Sequence, residues 1–565
     1  MDKAPVNLVI VSGGVLSGTG KGIISSSLAL LLWALGIPFT YLKCDGYLNV
    51  DCGTMNPEEH GEVFVTAEGG ETDLDLGSVE RFTGIKLSAD NSLTGGKINA
   101  EIHRRERAGE YLGKTVRVVP HKTNLIKEWI KRVARKTVEI NGEMHVPKVC
   151  IVEIGGSVGD FESDVFFEAI RQMTTDPECN MYFTHVAPLS YIHDEPKTRA
   201  VRESITDLGQ KIFRAPDMLA IRCREPLSHE IKAKLMGFTN MAIVESLDVE
   251  HIHQVPALLK SQNVIGMLDA RFNLPLSPQY KLNSYNELRA YLGSVVGDSS
   301  GFKTKKLMIG VFGKYMKQPD AYLSVKRAML HAAFAERVDI EFTWISTRDQ
   351  FKVEDVRWEL LDGVLIPGGF GTDGILGLRM VARHCRENNI PCLGICLGMQ
   401  VMVSEFYHAV TNRYDYSFSR EWTQNPNIGV DLLIDLMPGQ DLTKLGGTLR
   451  LGEYTCILLE GSKARELYNG LPYATERHRH RYEISQKEMI GEMIDHGMVF
   501  SGTHDAGGYA LMEICEMPKN KFHMGCQFHP EFNTHWWKPA PLFRGWMAAM
   551  SAGRPHEPPA ASNIE

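Results

Sequence analysis

The 565-residue sequence predicts an α/β protein made of two successive units, each with a parallel sheet and flanking helices. Two observations carry this. Short β-rich apolar runs alternate with helical patterns from residue 7 onward, and after a stretch that lacks either pattern the alternation starts again at residue 307. In chain order, residues 7–11 form an apolar strand that enters a glycine-rich turn. Residues 24–35 then carry a helical repeat that ends at Gly36 and Pro38, and residues 39–42 begin a second strand. A helix is expected at 125–134, and buried strands at 149–154 and 218–221. Residues 274–304, with Pro275, Pro278, Gly293, Gly297 and Gly301, read as a linker. The second unit opens with a strand at 307–312, followed by strands at 363–367 and 391–395. It ends near 549, ahead of a loose tail at 550–565 that contains Pro555, Pro558 and Pro559.

Composition excludes several classes. With 43% hydrophobic and 23% charged residues, the chain is neither disordered nor fibrous. A net charge of -8 gives no electrostatic ground for nucleic-acid binding, though a local basic pocket for phosphates is compatible with it. The most apolar run, 28–35, is far short of the roughly 20 residues a membrane span needs. Eleven cysteines include no Cys-x-x-Cys pair, and no apolar secretory stretch follows Met1. The expectation is a reduced, cytoplasmic protein.

Two local patterns carry chemistry. In Ser12-Gly13-Gly14-Val15-Leu16-Ser17-Gly18-Thr19-Gly20-Lys21-Gly22 a glycine loop leaves a strand and opens a helix, where backbone N–H groups and the helix dipole can hold phosphate oxygens. Lys21 adds a cation. Gly22 stands where a standard phosphate loop has the hydroxyl that ligates magnesium, so carboxylates elsewhere must help hold the metal. Asp73 and Asp75 in one acidic stretch, and Glu153 at the end of a buried strand, are the candidates.

The second pattern is Gly394-Ile395-Cys396-Leu397-Gly398, upstream of Phe528-His529-Pro530-Glu531. A cysteine with glycine two residues away on each side can occupy a strained strand-to-helix elbow with its sulfur exposed. His529 then takes the thiol proton and Glu531 orients the imidazole.

Further motifs give these patterns a family context. Gly13-Gly14-Val15, Asn49-Val50-Asp51, His60-Gly61-Glu62-Val63-Phe64-Val65 and Asp73-Leu74-Asp75-Leu76-Gly77 resemble the synthetase domain of the CTP synthase family. Gly313-Lys314-Tyr315, Pro367-Gly368-Gly369-Phe370-Gly371 and 476–483 resemble that family's class I glutamine amidotransferase domain. The resemblance spans roughly residues 6–549. It implies a P-loop-like synthetase domain at 1–273, the linker at 274–304 and an amidotransferase domain at 305–549. It also implies the activity: ATP phosphorylates the 4-oxygen of UTP, glutamine hydrolysis supplies ammonia, and ammonia displaces the phosphate to give CTP.

Carried over by motif, Ser17, Gly18, Thr19, Gly20, Lys21, Gly22 and Asp75 bind ATP, Lys21 stabilises the transferring phosphoryl group, and Asp75 and Glu153 hold Mg²⁺. The pyrimidine nucleotide falls to Ser17, Asp160, Glu162, Lys197, Arg199, Arg202, Arg222 and Lys234. In the other domain Cys396 forms the glutamyl thioester with His529 and Glu531, Gly369 and Leu397 form the oxyanion hole, and Gln400, Glu421 and Arg479 grip glutamine. The resemblance also implies a homotetramer, with filaments of such tetramers left open.

The chain also departs from the family. Lys197-Thr198-Arg199-Ala200-Val201-Arg202 replaces the usual Lys-Thr-Lys-Pro-Thr-Gln, and Gly46 and Cys52 replace prolines. Arginine presents a planar fork rather than a point charge, so phosphate geometry should change. This leaves open a paralogue that aminates a related or modified uridine nucleotide. A non-catalytic structural or filament protein is a third reading, disfavoured because a scaffold has no reason to keep Lys21, Asp75, Glu153, Cys396, His529 and Glu531 together. Asp373 stands where the family has an arginine that supports activation by GTP, so weak or absent GTP activation is expected.

Overall fold

The computed structural model describes residues 4–14, 16, 18–140, 142–237, 241–275, 306–348, 350–413, 419–423, 432–437, 446–484 and 486–552. The expected linker and tail therefore fall almost wholly outside the described residues, as does Ser17. The chain divides into two compact units, one of Met1–Met55 with Val63–Gly301 and one of Asn56–Glu62 with Phe302–Glu565. Among the described residues, no helix is long and apolar enough to cross a membrane.

The first unit is organised by a seven-stranded parallel sheet. Its strands are β1 (Val6–Gly13), β2 (Phe39–Asp45), β3 (Ser92–Thr94), β4 (Val149–Ile154), β5 (Cys179–Pro188), β6 (Met218–Cys223) and β7 (Ala242–Leu247). They run in the order β7-β6-β5-β1-β4-β2-β3. Strands buried on both faces read as continuous apolar runs, and β4 (VCIVEI) is buried at every position. Leu8, Ile10, Leu42, Cys44 and Val152 pack on one face with helices α3 (Thr123–Arg135), α4 (Asp164–Met173) and α5 (Arg199–Ile212). Helix α1 (Lys21–Ala34) lies against β1, β2 and β4, with α2 (Leu74–Thr83) beside it. The first helix begins at Lys21, earlier than the apolar repeat indicates. Gly20 at φ 99° turns the backbone directly into the helix, which needs no apolar residue in its first turn.

The second unit carries a nine-stranded sheet: β8 (Lys306–Gly313), β9 (Asp339–Ser346), β10 (Gly363–Ile366), β11 (Cys392–Ile395), β12 (Arg450–Leu458), β13 (Tyr473–His480), β14 (Val499–Asp505), β15 (Ala510–Glu516) and β16 (His523–Cys526). The order is β9-β8-β10-β11-β16-β15-β14-β12-β13. The first five strands in that order are parallel, and the remainder join antiparallel. Helices α6 (Leu323–Glu336) and α9 (Pro541–Ser551) close one apolar cluster. Helices α7 (Ile375–Glu387) and α8 (Leu397–Thr411) close the other.

An all-buried ion cluster pins the antiparallel half. Arg450 Nη1 donates to Glu483 Oε1 at 3.0 Å and to Glu513 Oε1 at 2.7 Å. Burial pushes the Glu483 carboxyl up to about 8 despite Arg450, and Glu513 is raised for the same reason. Removing the arginine takes away the donor that the two buried acids share. Arg450→Met is therefore expected to destabilise this unit by about 3–5 kcal/mol, measured as a lowered urea midpoint.

Candidate active sites

In the first unit β1 ends in Gly13 and Gly14, and Gly18 (φ 72°) and Gly20 turn the chain into α1. Lys21 is the first helical residue. Its ammonium donates to Gly156 O at 2.6 Å, and burial followed by the nearby Lys43 lowers its pKa, against the pull of Glu153, Asp75 and Asp45. Gly22 has a tertiary reason. A Cβ built there would lie 2.1 Å from Asp75 Oδ1, so the carboxylate occupies the space a loop hydroxyl would fill. Asp75 itself sits in the first turn of α2, whose N-cap Asp73 accepts from Asp75 N at 2.9 Å.

Sequence reasoning missed the group that binds these carboxylates together. Lys43, buried in β2, donates to Asp75 Oδ2 and to Glu153 Oε1, the latter at 2.9 Å, while Tyr41 Oη donates to Glu153 Oε2 at 3.0 Å. Burial would lower the lysine's pKa, but Asp75 and Glu153 raise it well above its ordinary value. Desolvation likewise favours neutral Asp75, yet Lys43 holds it below the usual carboxylate range. The available signal was a lysine inside the apolar run Phe39-Thr40-Tyr41-Leu42-Lys43-Cys44, where an unpaired charge is untenable.

Asp45, raised to about 6 by burial, leaves Oδ2 buried without a partner. Among the described residues no group of three or more His, Cys, Asp and Glu side chains forms a protein-only metal cage. Two converging carboxylates with a spare buried oxygen nearby fit a hard divalent cation that takes its remaining ligands from phosphates and water.

Other expected nucleotide residues are scattered around this centre. Arg222, at the end of β6, donates to Gly18 O at 3.0 Å and pairs with Asp248 at 2.7 Å, which places it on the phosphate loop. Asp160 lines a cavity of about 570 Å³ with Leu16, Ser157, Glu203, Ser204 and Asp207. Several of the cations expected there pair with acids of the protein at its surface. Lys197 bonds Glu195, and Arg199 bonds Glu203 at 2.7 Å with its side chain 83% exposed. Arg202 and Glu162 are exposed, and Lys234 pairs with Glu230 on its own helix at 2.7 Å. His185 ties the loop to α5, with Nδ1 3.0 Å from Ser12 Oγ and Nε2 bonded to Ser204 Oγ. Burial and Lys21 lower that imidazole to about 3, so it stays neutral.

In the second unit Cys396 has φ 53° and ψ -101°, a strained elbow between β11 and α8. Its glycine neighbours are demanded by packing. A Cβ on Gly398 would lie 2.1 Å from Ile366 O, and one on Gly394 would lie 2.4 Å from Met402 Sδ. His529 Nδ1 is 2.7 Å from Glu531 Oε1. Burial pulls the imidazole down, but Glu531 and then Cys396 outweigh it and raise the pKa to about 10. A side chain at Gly368 would collide with His529 Cε1 at 2.9 Å, so glycine there keeps the approach to Cys396 open.

The loop after β10 is held from several sides. Tyr322 Oη donates to Gly368 O at 3.4 Å, Phe370 N donates to Tyr315 Oη at 3.1 Å, and Gly371 N donates to Glu421 Oε1 at 2.9 Å. Lys314, another residue without an expected role, donates to Phe370 O at 3.1 Å and to Gly371 O. These bonds fix the segment around Gly369, where a Cβ would lie 3.2 Å from Leu397 Cδ2. The Arg479 guanidinium lies over Phe370, 5.1 Å from the ring centre. Gln400 is buried and donates to Tyr482 O at 2.9 Å and to Gln527 Oε1 at 3.1 Å. Gln527, a further residue the sequence reading passed over, donates to Cys396 Sγ at 3.7 Å. Its place two residues before His529, on the same side of an extended segment, was the signal. Asp373 is exposed and meets Arg348 at 4.0 Å.

Such a pairing, a glycine loop with Lys21 beside clustered carboxylates in one unit and a strained cysteine with a His–Glu pair in the other, fits a ligase fed by glutamine. The comparisons resolve the class further. Residues 7–274 match the family model described as CTP synthase N-terminus, and residues 318–549 match glutamine amidotransferase class-I. CTP synthase 2 of Saccharomyces cerevisiae is 40% identical, the match covering 96% of each chain. CTP synthase of Thermococcus kodakarensis is also 40% identical, covering 96% of this chain and 98% of its own. Among solved structures, the glutaminase domain of Trypanosoma brucei CTPS with bound acivicin is 28% identical at TM-score 0.40, covering 45% of this chain and 96% of its own. The chain belongs to the CTP synthase family.

Two outcomes follow from this geometry. Lys43→Met leaves Asp75 and Glu153 without their shared cation, and it is expected to cost about 3–5 kcal/mol in urea unfolding and to abolish synthesis from added ammonia. Lys314 is lowered to about 8, by burial first and by Arg348, against Glu421 and Asp373. Its charge is present below about pH 8 and lost above it, so its hold on the loop weakens as pH rises. Glutaminase activity should fall on the alkaline side with a midpoint near that value, and Lys314→Met should remove this limb while lowering kcat about tenfold.

Proposed function

We propose that this chain is a glutamine-dependent ligase that converts UTP to CTP at the expense of ATP. The observation that carries the reading is the presence on one chain of both centres, in a protein that aligns with CTP synthases over nearly its full length. These relatives, all named as CTP synthases, give no support to a modified uridine nucleotide as the substrate.

The residues support a three-step chemistry. Lys21 and the glycine loop cradle ATP phosphates, and Lys21 stabilises charge on the γ-phosphoryl group as it passes to the 4-oxygen of the uracil, with ADP leaving. Mg²⁺ would be held by Asp75 and Glu153 together with phosphate oxygens, and when bound it neutralises charge on the phosphates. In the other unit the Cys396 sulfur attacks the side-chain amide carbon of glutamine. The C–N bond breaks, ammonia leaves with the proton His529 supplies, and a glutamyl thioester remains. Water, deprotonated by His529, then hydrolyses the thioester to glutamate. Ammonia adds to C4 of the phosphorylated uracil and inorganic phosphate departs.

Glutamine is bound by Glu421 and Arg479, and Gln400 acts from behind through Gln527. The raised pKa of His529 supports its acting first as proton donor to the leaving ammonia and only then as base. A homotetramer is the expected assembly, and an apolar groove of about 520 Å³ with Leu48, Val118 and a 91% exposed Phe161 at its rim supports an interface.

The direct test is incubation with ATP, Mg²⁺, glutamine and UTP, read as CTP formed. Failure to aminate UTP under these conditions overturns the reading. Cys396→Ala should abolish glutamine-driven synthesis and retain synthesis from ammonia, because the nucleotide centre makes no use of the thiol. GTP should stimulate glutamine-driven synthesis less than about twofold, since Asp373 repels a polyphosphate. Asp373→Arg should raise that stimulation.

A further inference from the structure

The fully buried amide of Gln527 belongs to neither the His529–Glu531 pair nor the oxyanion loop, yet it touches the sulfur. Its orientation follows from a chain of donors and acceptors that starts at a main-chain carbonyl. Tyr482 O can only accept, so Gln400 must present its NH₂ group there, at 2.9 Å. The same NH₂ group faces Gln527 at 3.1 Å, which obliges Gln527 to turn its oxygen toward Gln400. That leaves the Gln527 NH₂ group facing Cys396 Sγ, at 3.7 Å, within the range of an N–H···S bond. Gln527 is 0% exposed, so this donor has no water to turn to.

The backbone holds the amide in place. Gln527 N donates to Glu513 O at 2.8 Å, and the Glu513 carboxylate is clamped by Arg450 at 2.7 Å. Cys396 N donates to Cys526 O at 2.6 Å, which fixes the sulfur's own segment beside the same strand. The donor and the sulfur are thus held in mutual register by the pairing of β11 with β16.

We infer that Gln527 is a further catalytic residue of the glutaminase centre, a neutral hydrogen-bond donor to the Cys396 sulfur that stabilises the sulfur as leaving group when the glutamyl thioester is hydrolysed. The inference rests on Cys396 being the nucleophile. In that step water adds to the thioester carbonyl while His529 takes its proton. The tetrahedral adduct then collapses, the C–S bond breaks with its electron pair on sulfur, and glutamate departs. His529 is occupied by the water's proton as that charge develops and returns it only afterwards. A fixed N–H dipole needs no proton transfer and no reorganisation, and it acts in surroundings of low dielectric constant. A second cation there would instead repel protonated His529.

The test uses the full-length chain with Gln527→Met, which keeps the length and removes the donor. The expected result is a fall in glutaminase kcat of about tenfold, the size of one hydrogen bond to a charged atom, with KM for glutamine no higher than wild type. The glutamyl thioester should accumulate on Cys396 in the steady state, seen by intact mass. A purely structural role would misplace the sulfur and slow its acylation, so kcat would fall without accumulation. That result, or a kcat within about twofold of wild type, overturns the proposal. Should Gln527→Met lose its cooperative melt, Gln527→Asn carries the same test, because it keeps a neutral amide in the buried site while shortening it by one carbon and so withdrawing the NH₂ group from the sulfur. Glutaminase activity persisting in Cys396→Ala would instead overturn the nucleophile assignment itself.

Discussion

The carboxyl ends of parallel strands are the constraint on which both centres depend. In the first unit the glycine loop and Lys21 follow β1, Glu153 lies near the end of β4, and Lys43 and Asp45 near the end of β2. In the second, Lys314 follows β8, Gly369 follows β10, Cys396 follows β11, and Gln527 to Glu531 follow β16. Parallel neighbours end on the same side of the sheet, so residues far apart in sequence arrive together there without any long loop to carry them. The stiffness of the sheet becomes the stiffness of the site.

Each centre solves the problem of buried charge differently. At the phosphate site acids outnumber the cation they share: Lys43 holds two carboxylates, and Asp45, raised to about 6 by burial, adds a third with an unbonded buried oxygen. Such a cluster can take a divalent cation and phosphates with little rearrangement of the protein, since acceptors and donors are already desolvated. At the cysteine site the charges are spread over several groups. The His529–Glu531 pair and the neutral Gln527 amide attend the sulfur, while Lys314 and Glu421 hold the glycine loop and Arg479 lies over Phe370. Fixed donors of this kind suit a reaction in which negative charge moves from sulfur to an oxyanion and back.

Much of this was legible in the sequence because it is local. Gly394, Cys396 and Gly398 announce an elbow, and His529 with Glu531 announces its partners. Gly18, Gly20 and Lys21 announce a phosphate loop. What stayed hidden depends on contacts between segments. Lys43 looked like an interruption in a strand until Asp75 and Glu153 were seen to converge on it. Gln527 was overshadowed by the more reactive side chain two positions on. The residues expected at the pyrimidine nucleotide also have local partners: Lys197 pairs with Glu195 and Arg199 with Glu203, neighbours close in sequence but not weighed as partners.

By itself the sequence determined the α/β class and singled out the glycine positions and the candidate nucleophile, because backbone permissiveness and reactive side chains are properties of single residues and short spacings. Tertiary structure alone decided which charges are paired, why Gly22 must be glycine, and which way the Gln527 amide points. Those outcomes depend on distances between strands and helices that meet only when the sheets form, and a buried charge or amide is defined by the partner that reaches it.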